Sequence, residues 1–324
     1  MNNKVIVTGG SGFIGTNLIS SLIIDGFDVI NIDIAEPTNV EHSSVFYRCD
    51  IRNLDELERI FQDFNPDFVV HLAARTDLDG CSLDDYDSNT VGVENICTVI
   101  SKNHGVKRVL FASSMLVCSS GYQPKNNMDF FPNTIYGESK VYGEKYVSEC
   151  SDSLPDFYIV RPTSIWGPWF NEPYRHFFDL VLSGRFLDIG DRYCSKTYGY
   201  VGNSVNQIKS LLFHSKKNKG EVFYIGDMPP LQISHWAHLI SEIAGIGKPK
   251  KIPYFILLGA AYFGDFLGLL CRVRFPMTTF RLRNMTTNNI IDCQSICDEN
   301  QYPHISLEDS ITTTLNWIAK RDKK

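Results

Sequence analysis

Short apolar runs alternate with helix-patterned stretches through the first half of the chain. Val5-Ile6-Val7 is the first run; glycines follow, and from Phe13 to Ile19 the pattern turns helical. Further apolar runs centre near Val29, Val45, Phe68, Val109 and Tyr158, each separated by a helical stretch. Such alternation predicts an α/β fold, a Rossmann-type doubly wound parallel sheet, with any ligand at the carboxyl ends of the strands. After Pro168 the pattern is irregular and richer in proline, with short strands near Phe186 and Phe223 and helices from Ser234, Tyr254 and Ser306. This predicts a smaller, interleaved C-terminal lobe over residues 169–324, beside a dinucleotide-binding domain over 1–168. Ser306-Leu307-Glu308-Asp309 resembles a capping box with Asp in the Glu position.

One run stands apart. Tyr254 to Leu270 is almost wholly apolar and nears the length of a membrane span, but Pro253 precedes it and Asp265 with three glycines interrupts it. It is read as a buried helix of the smaller lobe rather than a span, with attachment to an interface as the alternative.

The 324 residues carry a net charge of −6 and no basic stripe in the linear sequence, which argues against a nucleic-acid partner. Nine scattered cysteines without a Cys-x-x-Cys pair suit reduced cytosol better than a zinc site or disulfide framework. A first strand starting at Lys4 leaves no room for a signal peptide, so a cytoplasmic location is expected.

The chemistry begins at Gly9-Gly10-Ser11-Gly12-Phe13-Ile14-Gly15, a glycine-rich turn between strand and helix. Gly9 can take the positive φ of a tight turn, Gly12 lets the backbone approach a pyrophosphate, and Gly15 lets helix pack on strand. The helix N-terminus then offers amides to phosphate. Asp33 ends the second strand, about 20 residues on, where an acid binds the adenosine ribose hydroxyls; with no base in Ile34-Ala35-Glu36-Pro37, it favours NAD over NADP. Tyr136 and Lys140 lie at i and i+4, on one helix face. A phenol of ordinary pKa about 10 is a poor base at neutral pH, and a lysine ammonium one turn away is expected to lower it. The pair predicts acid–base work on a carbinol or carbonyl beside a nicotinamide.

Together with Asp50-Ile51 and His71-Leu72-Ala73-Ala74, these motifs make the chain resemble an extended short-chain dehydrogenase/reductase of the NAD-dependent epimerase/dehydratase family. The resemblance implies that Gly9, Gly12, Phe13, Ile14, Gly15, Asp33, Asp50, Ile51, Leu72, Ala73, Ala74, Asn89, Ser113, Pro162 and Thr163 line the cofactor. It makes Ser114 the third catalytic residue beside Tyr136 and Lys140, and has Lys140 hold the nicotinamide ribose. It also implies a segment from about 200–230 that returns to the sheet, and a homodimer through the helices carrying Asp85–Lys102 and Tyr136–Cys150. Val141, Tyr142, Tyr146 and Val147 are available for that interface or for packing on the sheet.

Departures from the family pattern narrow the function. Met115 and Leu116 stand where dehydratases carry an Asp-Glu pair, and neither can move a proton, which argues against a 4,6-dehydratase. Cys118-Ser119 replaces the family's Tyr-Gly. Ser164 replaces an Asn that touches the substrate phosphate, and Lys196 replaces an Arg on the diphosphate, keeping charge but losing the bidentate fork. Ser114, Ser164 and Lys196 are the expected substrate contacts. Arg272, Arg274, Arg281 and Arg283 form a late basic cluster, available to a diphosphate or lying on a solvated face. The leading expectation is an NAD-dependent nucleotide-sugar 4-epimerase; a 4-keto-sugar-nucleotide reductase and a hydroxysteroid-type dehydrogenase are the alternatives.

Overall fold

A computed structural model describes residues 3–170, 173–189, 192, 194–271 and 278–322. The chain forms two compact units. The first comprises Met1–Ile165, Gly199–Asp227 and Asp292–His304; the second comprises Trp166–Tyr198, Met228–Ile291 and Ile305–Lys324.

The first unit holds a seven-stranded sheet, all of whose strand pairs are parallel. Its strands are β1 (Lys4–Thr8), β2 (Asp28–Asp33), β3 (Phe46–Arg48), β4 (Phe68–His71), β5 (Arg108–Ala112), β6 (Asp156–Pro162) and β7 (Val222–Ile225), in the order β7-β6-β5-β4-β1-β2-β3. The chain runs outward from β1 through β3 and then crosses back to β4. The order therefore reverses between β1 and β4, and a crevice opens at their carboxyl ends.

Hydrophobic alternation decides which helix covers which face. Ile6, Ile30, Ile32, Val69, Val109 and Ile159 share one buried cluster with Leu57 and Phe61 of α2 (Leu54–Phe64), Val93 and Ile96 of α3 (Asp87–Lys102) and Val147 of α4 (Ile135–Glu149). Val5 and Val7 point the other way, toward the side taken by α1 (Phe13–Ile24), which packs on α6 (Val201–Phe213). Each fully buried aliphatic side chain here contributes about 1.5–3 kcal/mol. The sheet is a platform stiff enough to hold the loops at its carboxyl edge.

Residues 292–304 do not belong with the smaller lobe, where the sequence pattern placed them. The short α10 (Gln294–Glu299) packs on α6 and β7, with Cys293 and Ile296 buried. Ser210 and Asn300 join side chains at 2.9 Å. A buried amphipathic turn is too short to reveal its docking partner from periodicity.

The second unit is built on aromatic rings. Trp236 of α7 (Ile233–Ile243) packs with tilted rings against Trp166 at 5.0 Å and against Phe177 of α5 (Tyr174–Leu182) at 4.7 Å. Buried Asp188 accepts from Ser234 Oγ at 2.6 Å and bonds His238 Nε2 at 2.9 Å. Ser306 caps the helix Leu307–Arg321, accepting from Asp309 N at 3.1 Å and donating to Asp309 Oδ2 at 2.8 Å, the geometry its sequence suggested.

Helix α8 (Tyr254–Cys271) corrects the expectation of a buried helix. Among the side chains of this helix that the structure describes, only Leu257, Ala261 and Gly264 are buried, one narrow stripe at helical spacing. Phe255, Ile256, Tyr262 and Phe266 are 70%, 50%, 63% and 56% exposed. A helix that is apolar all round does not disclose which of its faces a neighbour covers. Among the described residues, no helix is long and apolar enough to cross a membrane. Asn171, Glu172, Gly190, Asp191, Tyr193, Arg272 and Arg274 lie outside the described residues.

Candidate active site

The glycine turn sits at the end of β1, on the β1 side of the crevice. Gly9 has φ +71°, and a Cβ there would come within 2.5 Å of Ala73 N, in the segment that follows β4. A Cβ on Gly15 would collide with the carbonyl of Gly9. Both positions need glycine, one for conformation and approach, the other for helix-on-turn packing. Gly12 is different: it is the N-cap of α1, no side chain caps that helix, and a Cβ there would meet only Gly9 O, at 3.2 Å. The first turn of α1, with Phe13 and Ile14, thus presents a helix N-terminus without a protein cap beside a turn free of side-chain bulk, the environment a pyrophosphate requires. Gly10, which the motif reading passed over, packs against Asn31 and Ile19, where a Cβ would collide with both.

Asp33 closes the crevice on the β2 side. Its Oδ2 accepts from Ser11 N at 3.0 Å and its Oδ1 from Ala35 N at 3.0 Å, so the carboxylate is locked against the glycine turn. Asp50 is gripped by Arg52, which also pairs with Asp87 at 2.8 Å; the Arg52 hydrogen bond holds the Asp50 carboxyl below the usual carboxylate range. Ile51 is buried under α3, where a Cβ on Gly92 would collide with it. Leu72 N donates to Thr8 O at 3.0 Å, which lays Leu72, Ala73 and Ala74 along the crevice wall.

The catalytic candidates converge at the end of β5. Ser113 and Ser114 follow Ala112, and Ser114 opens a tight turn over Met115–Val117, accepting from Leu116 N at 3.1 Å. Thr134 caps α4 by accepting from Gly137 N at 3.0 Å, which places Tyr136 in the helix's first turn. A Cβ on Gly137 would collide with the carbonyl of Leu116, so this glycine permits the close approach that joins the two segments. The Ser114 hydroxyl lies close enough to the Tyr136 phenol to favour its ionised form. Lys140 lies one turn further on, buried, donating from Nζ to Ala112 O at 3.0 Å.

The electrostatics differ from the sequence expectation. Burial pushes the Tyr136 phenol above its ordinary value, with the Ser114 hydroxyl acting in the opposite direction. Burial lowers the Lys140 ammonium to about 8, the charge of Glu144 working against that fall. In the protein alone, desolvation thus dominates both groups. His71 is fully buried, bonded through Nδ1 to Thr8 Oγ1 at 2.7 Å, and burial brings it down to about 3, so its ring is neutral.

Other predicted residues have structural work. All polar atoms of Asn89 are engaged: Oδ1 accepts from Arg75 N at 2.8 Å, and Nδ2 donates to Arg75 O and to Ser139 Oγ, each at 2.9 Å. Asn89 therefore ties the loop after β4 to α4. Thr163 donates to Ile225 O at 2.8 Å, and Pro162 ends β6 beside β7. Ser113 Oγ is buried without a hydrogen-bond partner. Ser164 is buried in the first unit, and Lys196 lies half-buried in the second. Val141 and Val147 pack inward, whereas Tyr142 and Tyr146 stack on each other, Tyr142 bonding Glu94.

One support was not legible in the motifs. Buried Arg161 forms a bidentate pair with buried Glu144, at 2.8 and 2.7 Å, and also reaches Asn127 O at 2.7 Å and Tyr224 OH at 3.0 Å. Glu144 is one turn beyond Lys140, so this pair clamps the catalytic helix to β6.

The model of the NAD-dependent epimerase/dehydratase family matches residues 5–226. The chain belongs to that family. It is accordingly an NAD-dependent enzyme of the extended short-chain dehydrogenase type, and the cofactor-shaped crevice agrees. It is 27% identical, over 100% of its length and 98% of the relative's, to the N-acetyl-alpha-D-glucosaminyl-diphospho-ditrans,octacis-undecaprenol 4-epimerase of Escherichia coli O157:H7. It is 28% identical to the UDP-glucose 4-epimerase of Vibrio cholerae, over 77% of each chain. Among solved structures, the UDP-glucose 4-epimerase of Thermotoga maritima with UDP-glucose superposes with a TM-score of 0.75 at 22% identity, covering 98% of this chain and 99% of that one. The family fold is thus retained from end to end while most side chains have changed.

Proposed function

We propose that this family member is a sugar 4-epimerase whose substrate is a hexose carried on a diphosphate. The observation that carries this reading is the nearness of the Ser114 hydroxyl to the Tyr136 phenol, with buried Lys140 one turn along the same helix and Met115 and Leu116 in the adjoining turn offering no second acid or base. Ser114 orients the C4 hydroxyl and Tyr136 removes its proton. NAD, held by the glycine turn, the first turn of α1 and Asp33, would supply a reversible hydride acceptor for C4. Lys140 supplies positive charge next to the phenol, and Tyr136 returns the proton once the 4-ketone has presented its other face. The reaction needs no net redox partner, and a carboxylate at Asp33 locked against the turn suits a resident NAD.

The relatives support two carriers. A nucleotide is the carrier for the Vibrio cholerae enzyme, and a nucleotide sugar is the first reading here, with a homodimer through the outward faces of α3 and α4. A polyprenyl diphosphate is the second, favoured by the Escherichia coli relative, which matches the whole chain. Ser164 and Lys196, in place of the Asn and Arg of nucleotide-sugar relatives, fit either carrier.

The test is to denature purified protein, identify what it releases by mass spectrometry, and assay wild type and Tyr136→Phe for 4-epimer formation. Stoichiometric NAD, epimer formation without added reductant, and a loss of at least about 100-fold in Tyr136→Phe are expected. Turnover only with added NADH or NADPH would replace the epimerase by a reductase. Near-normal turnover by Tyr136→Phe would remove Tyr136 from the mechanism. Light scattering tests the dimer.

A further inference from the structure

The polar and apolar residues around α8 are arranged as a surface rather than as a core. Phe255, Ile256, Tyr262 and Phe266 are spaced so as to share the side of the helix opposite Leu257, Ala261 and Gly264, and all four are at least half exposed. Three aromatic rings on one exposed helix face form an apolar patch of the kind that marks an interaction site. The acid in this helix, Asp265, is turned onto the following helix, where Thr279 Oγ1 donates to it at 2.5 Å.

Charge is concentrated in the segments that adjoin α8. Among the described residues from Ile243 to Ile291, Lys248, Lys250, Lys251, Arg281 and Arg283 stand against Asp265 alone, although the whole protein has a net charge of −6. The three lysines are exposed just before α8, and Arg192 lies over the ring of Tyr254 at 5.4 Å. An apolar face flanked by bases suits the boundary between anionic headgroups and acyl chains. A second copy of the chain suits it poorly, because a twofold would set the same bases against one another.

We propose that α8 is a docking helix that lays its aromatic face into an anionic lipid surface. The helix does not span; it lies in the interface, with Lys248, Lys250, Lys251, Arg281 and Arg283 available to the headgroups. This rests on the epimerase reading only for its use, which is to bring the enzyme to a diphosphate-linked sugar whose carrier is a membrane polyprenol.

The experiment compares full-length wild type with Phe255→Ser/Tyr262→Ser/Phe266→Ser, which touches no residue of the catalytic site. Sedimentation with vesicles of phosphatidylcholine alone, or mixed with phosphatidylglycerol, measures binding, and thermal melting confirms the fold. Wild type should bind the anionic vesicles, lose binding as salt rises, and bind at least about tenfold more tightly than the triple variant. No binding by wild type, or equal binding by the folded variant, overturns the proposal. A wild-type dimer that becomes monomeric in the variant, with no vesicle binding by either, would overturn it in favour of a second copy. Turnover of a water-soluble or detergent-dispersed sugar diphosphate by both proteins separates the two claims: its absence defeats the epimerase reading whatever the vesicles show, and its presence leaves docking to be judged on binding.

Discussion

Lys140 is the residue whose removal should expose the conflict between stability and function in this site. Its ammonium is buried, bonded to one carbonyl, and lowered by burial to about 8 from an ordinary 10.5. A displacement of about 2.5 pH units corresponds to about 3 kcal/mol. The sign follows from proton counting. Between about pH 8 and pH 10.5 the unfolded chain keeps a proton on this amine that the folded chain has released, so folding stability rises with pH through that window. Integrated from about pH 7 to pH 9.5, this amounts to about 2 kcal/mol. Lys140→Met keeps the bulk and removes the titration. Urea unfolding of the cofactor-free proteins across that range should therefore show wild type gaining about 2 kcal/mol relative to Lys140→Met, and the variant should fail to turn over substrate. Groups titrating elsewhere are common to both proteins and cancel in the difference. Parallel stability curves, with the gap constant to about 0.5 kcal/mol, would refute the claim that this ammonium is held at a desolvation cost.

Gly9→Ala places a Cβ within 2.5 Å of Ala73 N at a φ of +71°, so NAD affinity measured by calorimetry should fall at least about tenfold, the backbone strain alone being about 1–2 kcal/mol. Glu144→Gln leaves buried Arg161 without its counter-charge and should lower the urea-unfolding free energy by about 3 kcal/mol; a loss below about 1 kcal/mol would show that Asn127 O and Tyr224 OH suffice. Burial lifts Asp227 to about 6 while its Oδ2 accepts from Tyr200 N at 2.7 Å. The folded chain therefore holds a proton on Asp227 that the unfolded chain loses between about pH 4 and 6, and this group's contribution to stability falls as pH rises through that window. Asp227→Asn should gain on wild type by about 1 kcal/mol between about pH 5 and 7 in paired thermal melts; no change in their difference would refute the assignment.

What could be read from the sequence divides along the range of the interactions. Gly9 and Gly15 were legible because their places follow from local geometry, a positive φ and a close packing of turn on helix, and the i to i+4 spacing set Tyr136 and Lys140 on one helix. The sheet was legible because fully buried parallel strands leave continuous apolar runs. What failed to show depends on partners far along the chain. The amide of Asn89 bonds Arg75 and Ser139, and Ser139 lies 50 positions away, a tie that the sequence around Asn89 does not announce. Glu144 and Arg161 are unremarkable charges in the sequence, 17 positions apart, and only the fold makes them the clamp on the catalytic helix. The phenol's pKa was misjudged for a related reason: the i to i+4 spacing announces the ammonium but says nothing of the burial that raises Tyr136 and lowers Lys140 together.

That joint burial has a mechanistic consequence. The same desolvation shifts the phenol and the ammonium toward their neutral forms, although at about 8 Lys140 still carries its charge at neutral pH. The protein alone is therefore a poor base, and the proton affinity of Tyr136 is set by whatever charge enters the crevice beside it. A site built this way spends stability to remain unreactive until cofactor and sugar are both in place. Ser114 is held in place by accepting from Leu116 N at 3.1 Å, which keeps its hydroxyl near the phenol. If this is right, the pH dependence of turnover belongs to the loaded enzyme, and the titration of Lys140 near 8 should vanish from unfolding curves once NAD is bound.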